Sequence, residues 1–189
     1  LLLNSEKANL LYSYVRNLPI VDYHNHLSVQ EIAENKRFLD VYEAWIKPDP
    51  YKHRAMRMCG VDEFYITGEA SNEDKFIKWC ETLPKLIGNV LYHWSLMELD
   101  MIFHIQDVPN GSNGSELFER CNRYLAENIV DVSSILKQFS VTHICPCASL
   151  TDDLSFFSGK EYFAPSLRGD DIVNLKSDFV NILQTVTGV

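Results

Sequence analysis

Pro19-Ile20-Val21-Asp22-Tyr23-His24-Asn25-His26 decides how the rest of the chain is read. A proline is followed by β-branched and aromatic residues, and then the run turns polar. That pattern predicts a short buried strand with a polar end. On a strand, residues i and i+2 project from the same face. His24 and His26 therefore point the same way, and two imidazoles at the carboxyl end of one strand can reach a single metal ion. In sheets of parallel strands the carboxyl-terminal rim is where active sites sit. The competing reading is two hydrogen-bonding histidines near a loop, because His-x-His alone is a sparse motif. Two ligands do not complete a catalytic zinc site, which usually takes three protein ligands and an open position.

Upstream, residues 5–17 carry Leu10, Leu11, Tyr14 and Val15 at helical spacing, and Leu18-Pro19 ends that helix. Downstream, the pattern is helical from about 28 to 139. Residues 72–87 place Phe76, Trp79, Cys80, Leu83 and Ile87 on one stripe. Ser71 and Asp74 resemble a capping box, and Pro84 should disturb the last turn. Further helices are expected over 89–101, 115–126 and 131–138, with a Gly, Asn and Ser-rich flexible turn between Pro109 and Gly114. The texture then changes. Val141-Thr142-His143-Ile144-Cys145 and Tyr162-Phe163-Ala164-Pro165 are strand candidates. Residues 172–187 close with Leu175, Phe179, Ile182, Leu183 and Val186 as an amphipathic helix.

Three strands joined by helical segments predict an α/β fold with parallel pairing. The simplest architecture is the N-terminal part of a (β/α)8 TIM-like barrel with a large helical insertion after the first strand. The divisions expected are 1–27 (helix and first strand), 28–139 (helical insertion) and 140–189 (further strands and helix). At 189 residues the chain is short for a complete barrel, which takes about 250.

The balance of 17 basic and 26 acidic residues gives a formal charge of −9. A surface of that sign repels phosphate backbones and argues against a nucleic-acid partner. No apolar run approaches the roughly 20 residues of a spanning helix, so no membrane partner is expected. Leu1-Leu2-Leu3 is too short for a signal-peptide core, and the lack of an initiator Met predicts a trimmed or incomplete start. Five dispersed cysteines are not a disulfide framework, which predicts a reducing, cytoplasmic compartment. Asn110-Gly111-Ser112 and Asn113-Gly114-Ser115 match a glycosylation sequon, but are read as a turn.

Other candidates each carry an ordinary alternative. Cys145 and Cys147 share the i, i+2 relation. They allow a soft-metal pair, but strand-core packing is the preferred reading, since free Cys behaves as a small buried hydrophobe. Tyr51, His53, Arg54 and Arg57 follow Pro48 and Pro50. Tyr with Arg suits a carboxylated substrate, although a helix start with a solvated basic face is preferred on the residues alone. Arg168 suits bidentate carboxylate binding, with a surface salt bridge as the alternative. Asp152 and Asp153 are candidate acid/base groups and equally ordinary turn residues.

Taken together, certain stretches resemble the uronate isomerase (glucuronate isomerase) family of the amidohydrolase superfamily. They are Leu18-Pro19-Ile20-Val21-Asp22-Tyr23-His24-Asn25-His26-Leu27, Tyr51-Lys52-His53-Arg54-Ala55-Met56-Arg57, Gly60-Val61-Asp62-Glu63, Ile66-Thr67-Gly68 and Gly88-Asn89-Val90-Leu91-Tyr92-His93-Trp94. The resemblance is strongest over about residues 5–100 and continues in register to about 175. It implies a distorted (β/α)8 barrel with an added helical region. It implies aldose–ketose isomerisation of hexuronates, D-glucuronate to D-fructuronate and D-galacturonate to D-tagaturonate. It makes His24 and His26 first-strand metal ligands, usually for Zn²⁺, Tyr51 the active-site Tyr, and Arg168 the Arg that grips the substrate. The expected partner is a small-molecule hexuronate, and a homo-oligomer is left open.

The chain departs from the family pattern at several places. Pro50 stands where the family has the His before its active-site Tyr. Pro146-Cys147-Ala148-Ser149-Leu150 replaces Thr-Thr-Asp-Asp-Pro, and Arg168-Gly169-Asp170 replaces Arg-Pro-Asp. The family's chain is more than twice as long, and its last-strand Asp has no counterpart within residues 1–189. Two readings follow: the N-terminal part of an active isomerase, or a truncated or degenerate non-catalytic relative acting as an interaction module. Hydrolysis of an amide or lactone by a metal-activated water needs more metal ligands, and the uronate-type stretches argue against it.

Overall fold

The structure, a computed structural model, describes residues 3–149 and 152–173, and residues 181, 184, 185 and 188 beyond them. The described residues divide into two compact units. Residues 38–130 form one; residues up to 37 together with those from 131 onward form the other.

The second unit holds the sheet. Helix α1 (Glu6–Val15) is capped by Ser5, whose hydroxyl accepts from the Ala8 amide. Strand β1 (Ile20–Asn25) follows, then the short helix α2 (Val29–Ala33). After residues 38–130 the chain returns as α8 (Val132–Gln138), opened by a reciprocal capping box between Asp131 and Ser134. Strand β2 (Val141–Ala148) and strand β3 (Ser166–Leu167) complete a three-stranded sheet in the order β1-β2-β3, and α9 (Asp170–Val173) follows. Both pairings are parallel. The α/β class with a parallel sheet is therefore as expected. Helices α2 and α8 pack on one another and against β2.

Three local expectations change. The first strand is not buried: Ile20 is 46%, Val21 57% and Tyr23 82% exposed. Among the described residues β1 pairs with β2 on one side, and its side chains project from faces that these residues leave largely uncovered. The second strand runs through Pro146 rather than stopping there, because β3 begins pairing at Cys147, opposite Ser166. The third strand lies later than Tyr162–Pro165. Phe163 makes one isolated parallel bridge to Ile144 while its ring stacks on Phe157 at 3.5 Å, and the ladder starts at Ser166. The amphipathic stripe of Leu175, Phe179, Ile182, Leu183 and Val186 lies outside the described residues.

The other unit is helical: α3 (Val41–Trp45), α4 (Pro50–Met58), α5 (Asn72–Thr82), α6 (Val90–Phe103) and α7 (Gly114–Glu127). The predicted α5 stripe is its centre. Phe76, Trp79, Cys80 and Leu83 are fully buried, whereas Ile87 is exposed. The Phe76 ring lies 6.0 Å from Trp45 and 5.4 Å from Phe118. Ser71 caps α5 by accepting from the Asp74 amide at 3.1 Å, and Pro84 turns its end into a 3-10 turn over Leu83–Leu86. Gly114 opens α7 where a Cβ would stand 3.3 Å from the Ile77 backbone, so a glycine lets α7 approach α5. The turn before it is built by side chains. Asn113 Oδ1 accepts from the Asn110 amide at 2.8 Å, and Asn110 Oδ1 accepts from the Ser112 amide at 2.8 Å.

Candidate functional site

Parallel pairing brings the carboxyl ends of β1 and β2 to the same side. The register is Asp22 opposite Ile144 and Asn25 opposite Pro146, so β1 spends one more residue than β2 between those pairs. Such a bulge re-aims side chains and is common beside functional sites. His24 sits within it and His26 just beyond the strand. The Asn25 side-chain Nδ2 donates to Asp22 Oδ2 at 2.9 Å, and Asn25 Oδ1 accepts from the Leu27 backbone amide at 3.2 Å. That clasp holds the chain segment that carries both histidines. Their rings meet edge to face with centroids 5.0 Å apart.

The same register delivers a third group. Cys147, one residue before the end of β2, places its Sγ 3.7 Å from His24 Nδ1. One ligand atom from each of His24, His26 and Cys147 falls within 4.8 Å of the others. Tetrahedral zinc, with Zn–S near 2.3 Å and Zn–N near 2.0–2.1 Å, sets its N and S ligands about 3.5 Å apart. The donor types suit a divalent metal that accepts nitrogen and sulfur, and the His24–Cys147 separation is close to that spacing. The Ser166 hydroxyl on β3 lies 3.7 Å from the Cys147 sulfur and 3.4 Å from the Pro146 carbonyl oxygen, either of which can accept its proton. Cys147 is half-buried in this cluster, which corrects the reading of it as strand core. Cys145 is not part of the group.

Arg168 follows β3. Its amide donates to the Ala148 carbonyl at 2.8 Å, and its exposed guanidinium pairs through Nε with Asp170. Asp152 and Asp153 serve the local backbone. Asp152 accepts from the Ser149 amide at 2.7 Å and Asp153 from the Ser155 amide at 2.9 Å. The Ser155 hydroxyl and amide hold the Asp153 carboxyl below the usual carboxylate range.

Tyr51 belongs to the helical unit. Asp49 caps α4 and Pro50 occupies its first turn, where a missing N–H costs nothing. Tyr51 is 65% exposed and, with Arg54, Met58, Val90, Leu91 and Trp94, lines an open groove of about 420 Å³. The remaining members of its sequence cluster have separate tasks. Arg57 donates twice to Glu63, at 2.8 and 2.6 Å. That pair, with the Thr67 hydroxyl, lowers the Glu63 carboxyl to about 2. Burial and then the Arg57 charge push the His53 imidazole below its ordinary value. The residues the sequence reading passed over are Asp22, Asn25 and Ser166, which hold or touch the metal-type cluster. Asn25 between two histidines was the only local signal.

A family model described as glucuronate isomerase matches residues 1–189. The chain belongs to the glucuronate isomerase family. Among curated relatives, the uronate isomerase of Oceanobacillus iheyensis is 39% identical over 99% of this chain and 42% of its own length. That of Brachyspira hyodysenteriae is 41% identical over 100% of this chain and 43% of its own. The crystal structure of uronate isomerase from Thermotoga maritima superimposes with a TM-score of 0.84 at 30% identity, covering 95% of this chain and 42% of that one. Glucuronate isomerase from Caulobacter crescentus shares the fold, with a TM-score of 0.83 at 16% identity. The chain thus spans about two-fifths of the length of these glucuronate isomerase relatives. Among the described residues no helix is long and apolar enough to cross a membrane.

Proposed function

We propose that this chain contributes the N-terminal metal-binding and substrate-binding part of a hexuronate isomerase interconverting D-glucuronate with D-fructuronate, and D-galacturonate with D-tagaturonate. The observation that carries the proposal is His24 and His26, set together at the carboxyl end of a parallel strand in a glucuronate isomerase chain. In this reading residues 1–27 supply the first barrel strand, 28–139 the helical insertion, and 140–189 further strands of a (β/α)8 barrel of the amidohydrolase type. The compartment is the cytoplasm, in keeping with five free thiols.

Isomerisation moves a proton between C2 and C1 through an enediol, and so needs a base and a means of stabilising the developing oxyanion. His24 and His26 would hold the metal, Zn²⁺ by preference. When bound, it supplies Lewis-acid stabilisation of the sugar oxygens. Tyr51, with its phenol exposed, is the proton donor or hydrogen-bond partner to the substrate oxygen. Arg168 binds the uronate carboxylate, which competes with Asp170 for the guanidinium. The degenerate-module alternative has less support, because the match to the family runs through both units.

The test is turnover of D-glucuronate by the polypeptide purified from its native source, with its intact mass and bound zinc measured on the same sample. The expected result is fructuronate formation, with zinc and turnover both lost in a His24→Ala, His26→Ala variant. Unchanged metal content in that variant would remove the histidines from the site. No turnover by the metal-loaded native polypeptide would overturn the activity.

A further inference from the structure

We propose that the Cys147 thiolate is a third protein ligand, making a His2Cys site that favours thiophilic metals such as Zn²⁺ and Cd²⁺ over Mg²⁺ and Mn²⁺. The inference rests on the metal reading of His24 and His26 and extends it to a residue at which this chain departs from the family's Thr-Thr-Asp-Asp-Pro stretch.

Four observations support it. The Cys147 sulfur stands 3.7 Å from His24 Nδ1, close to the N···S separation of two ligands on one tetrahedral ion. All three candidate donors lie within 4.8 Å of one another, a separation that side-chain rotation has to close to reach the spacing of ligands on one ion. Cys147 is neither sealed in the core nor fully exposed, unlike Cys80 and Cys121, which are fully buried and whose thiols burial pushes up to about 12. The Ser166 hydroxyl, 3.7 Å from the sulfur, can donate to a thiolate and steady its charge, as partners of metal ligands commonly do.

The chemistry follows from ligand softness. A nitrogen pair alone accepts a range of divalent ions, whereas a thiolate selects Zn²⁺, Cd²⁺ and Cu(I) and disfavours the hard ions. The thiolate also places an oxidisable sulfur on the metal. Peroxide of the ordinary two-electron kind would convert a thiolate to sulfenic acid, with the peroxide reduced to water, and so weaken the site.

Cobalt(II) substitution of the metal-free native polypeptide distinguishes the outcomes. Titrated to one equivalent, the unmutated protein should show an intense near-ultraviolet thiolate-to-cobalt charge-transfer band together with visible bands of tetrahedral cobalt. Cys147→Ser should abolish the ultraviolet band. It should also weaken Zn²⁺ by at least about 100-fold, beyond the 10–100-fold expected of a residue acting through a ligand. The preference for Cd²⁺ over Mn²⁺ should shrink with it. Stoichiometric cobalt lost in the histidine variant but showing no thiolate band would overturn the role of Cys147 and leave the histidine reading standing. A band that survives Cys147→Ser would assign the sulfur to another cysteine and overturn the proposal. No cobalt binding at all would overturn both readings. The spectrum of the unmutated protein decides the matter even if Cys147→Ser fails to fold.

Discussion

The helix α5 stripe of the helical unit and the α1–β1 segment of the sheet unit differ in how far their apolar residues are covered within residues 1–189. In residues 38–130 the periodic stripes close on internal partners: Phe76, Trp79, Leu83, Leu99, Leu117 and Leu125 are all without solvent exposure. In the sheet unit, Leu10, Leu11, Tyr14 and Val15 of α1 and Ile20, Val21 and Tyr23 of β1 are exposed. Yet the sheet unit holds the metal-type cluster, at the ends of the exposed strand β1 and of β2, whose Ile144, Pro146 and Ala148 are buried. The fully buried stripe and the metal-type cluster thus lie in different parts of the chain. The thiols repeat the division: Cys80 and Cys121 are sealed and inert, while Cys147 stands beside an imidazole.

The strongest way to break this contrast is to cut the sealed core. Phe76→Ala removes a fully buried ring packed against Trp45 and Phe118. Loss of transfer free energy together with the cavity left behind should cost about 3–5 kcal/mol. Urea unfolding followed by tryptophan fluorescence reads it, since Trp45 and Trp79 lie in that unit. A cost below about 1 kcal/mol would mean that the helical core is not the stable half of the comparison.

A smaller effect should come from the charged group built into that core. The Lys52 side chain is 4% exposed. Its ammonium meets Asp49 at 2.8 Å and Glu98 at 3.4 Å, and lies 5.2 Å over the Trp45 ring, whose indole N–H donates to Glu98. Breaking a buried pair from one side leaves the partner charge poorly solvated. Asp49 and Glu98 keep part of their exposure, so Lys52→Met should cost about 1–3 kcal/mol rather than more. The pH dependence gives a second reading. Burial raises the Asp49 pKa, but the Lys52 ammonium and the Lys52 and Tyr51 amides outweigh it, and the net shift is downward. A carboxyl lowered in the folded state stabilises above its unfolded pKa, and the stabilisation is lost as pH falls through the folded value. Acid unfolding monitored from pH 6 downward should therefore show a shallower loss of stability below about pH 4 in Lys52→Met than in the parent. Parallel curves would remove the ion pair from the account.

How much of this was legible depended on distance along the chain. The helices of residues 38–130 declare themselves through 3.6-residue spacing and through caps such as Ser71, because both signals are local. The His24-x-His26 pair is visible for the same reason. That Cys147 joins the histidines is not visible, since it is 123 residues from His24 and reaches it through the β1–β2 register. With Cys145 two positions away, the sequence offered a cysteine pair, and the structure divides that pair. The strand candidate stops at Cys145, just before a proline that cannot donate to a ladder, but pairing with β3 carries the strand on to Ala148. The burial of β1 was overestimated, because an apolar pattern shows which residues can be covered and not what covers them.

That last point sets the gentlest test, Val21→Thr. The change keeps the β-branched shape and exchanges a methyl for a hydroxyl, so strand preference is nearly unaltered. At a buried site without a partner the hydroxyl would cost about 1–3 kcal/mol on the scale of protein mutations. Val21 is 57% exposed on an edge strand, so the expected change in residues 1–189 is within about 0.5 kcal/mol. The same substitution in the protein from its native source sharpens the comparison. A cost that stays within that margin leaves β1 an exposed edge there too. A cost above about 1 kcal/mol would place a covering layer on the strand that carries His24, and would make the site's surroundings as sealed as the helical core.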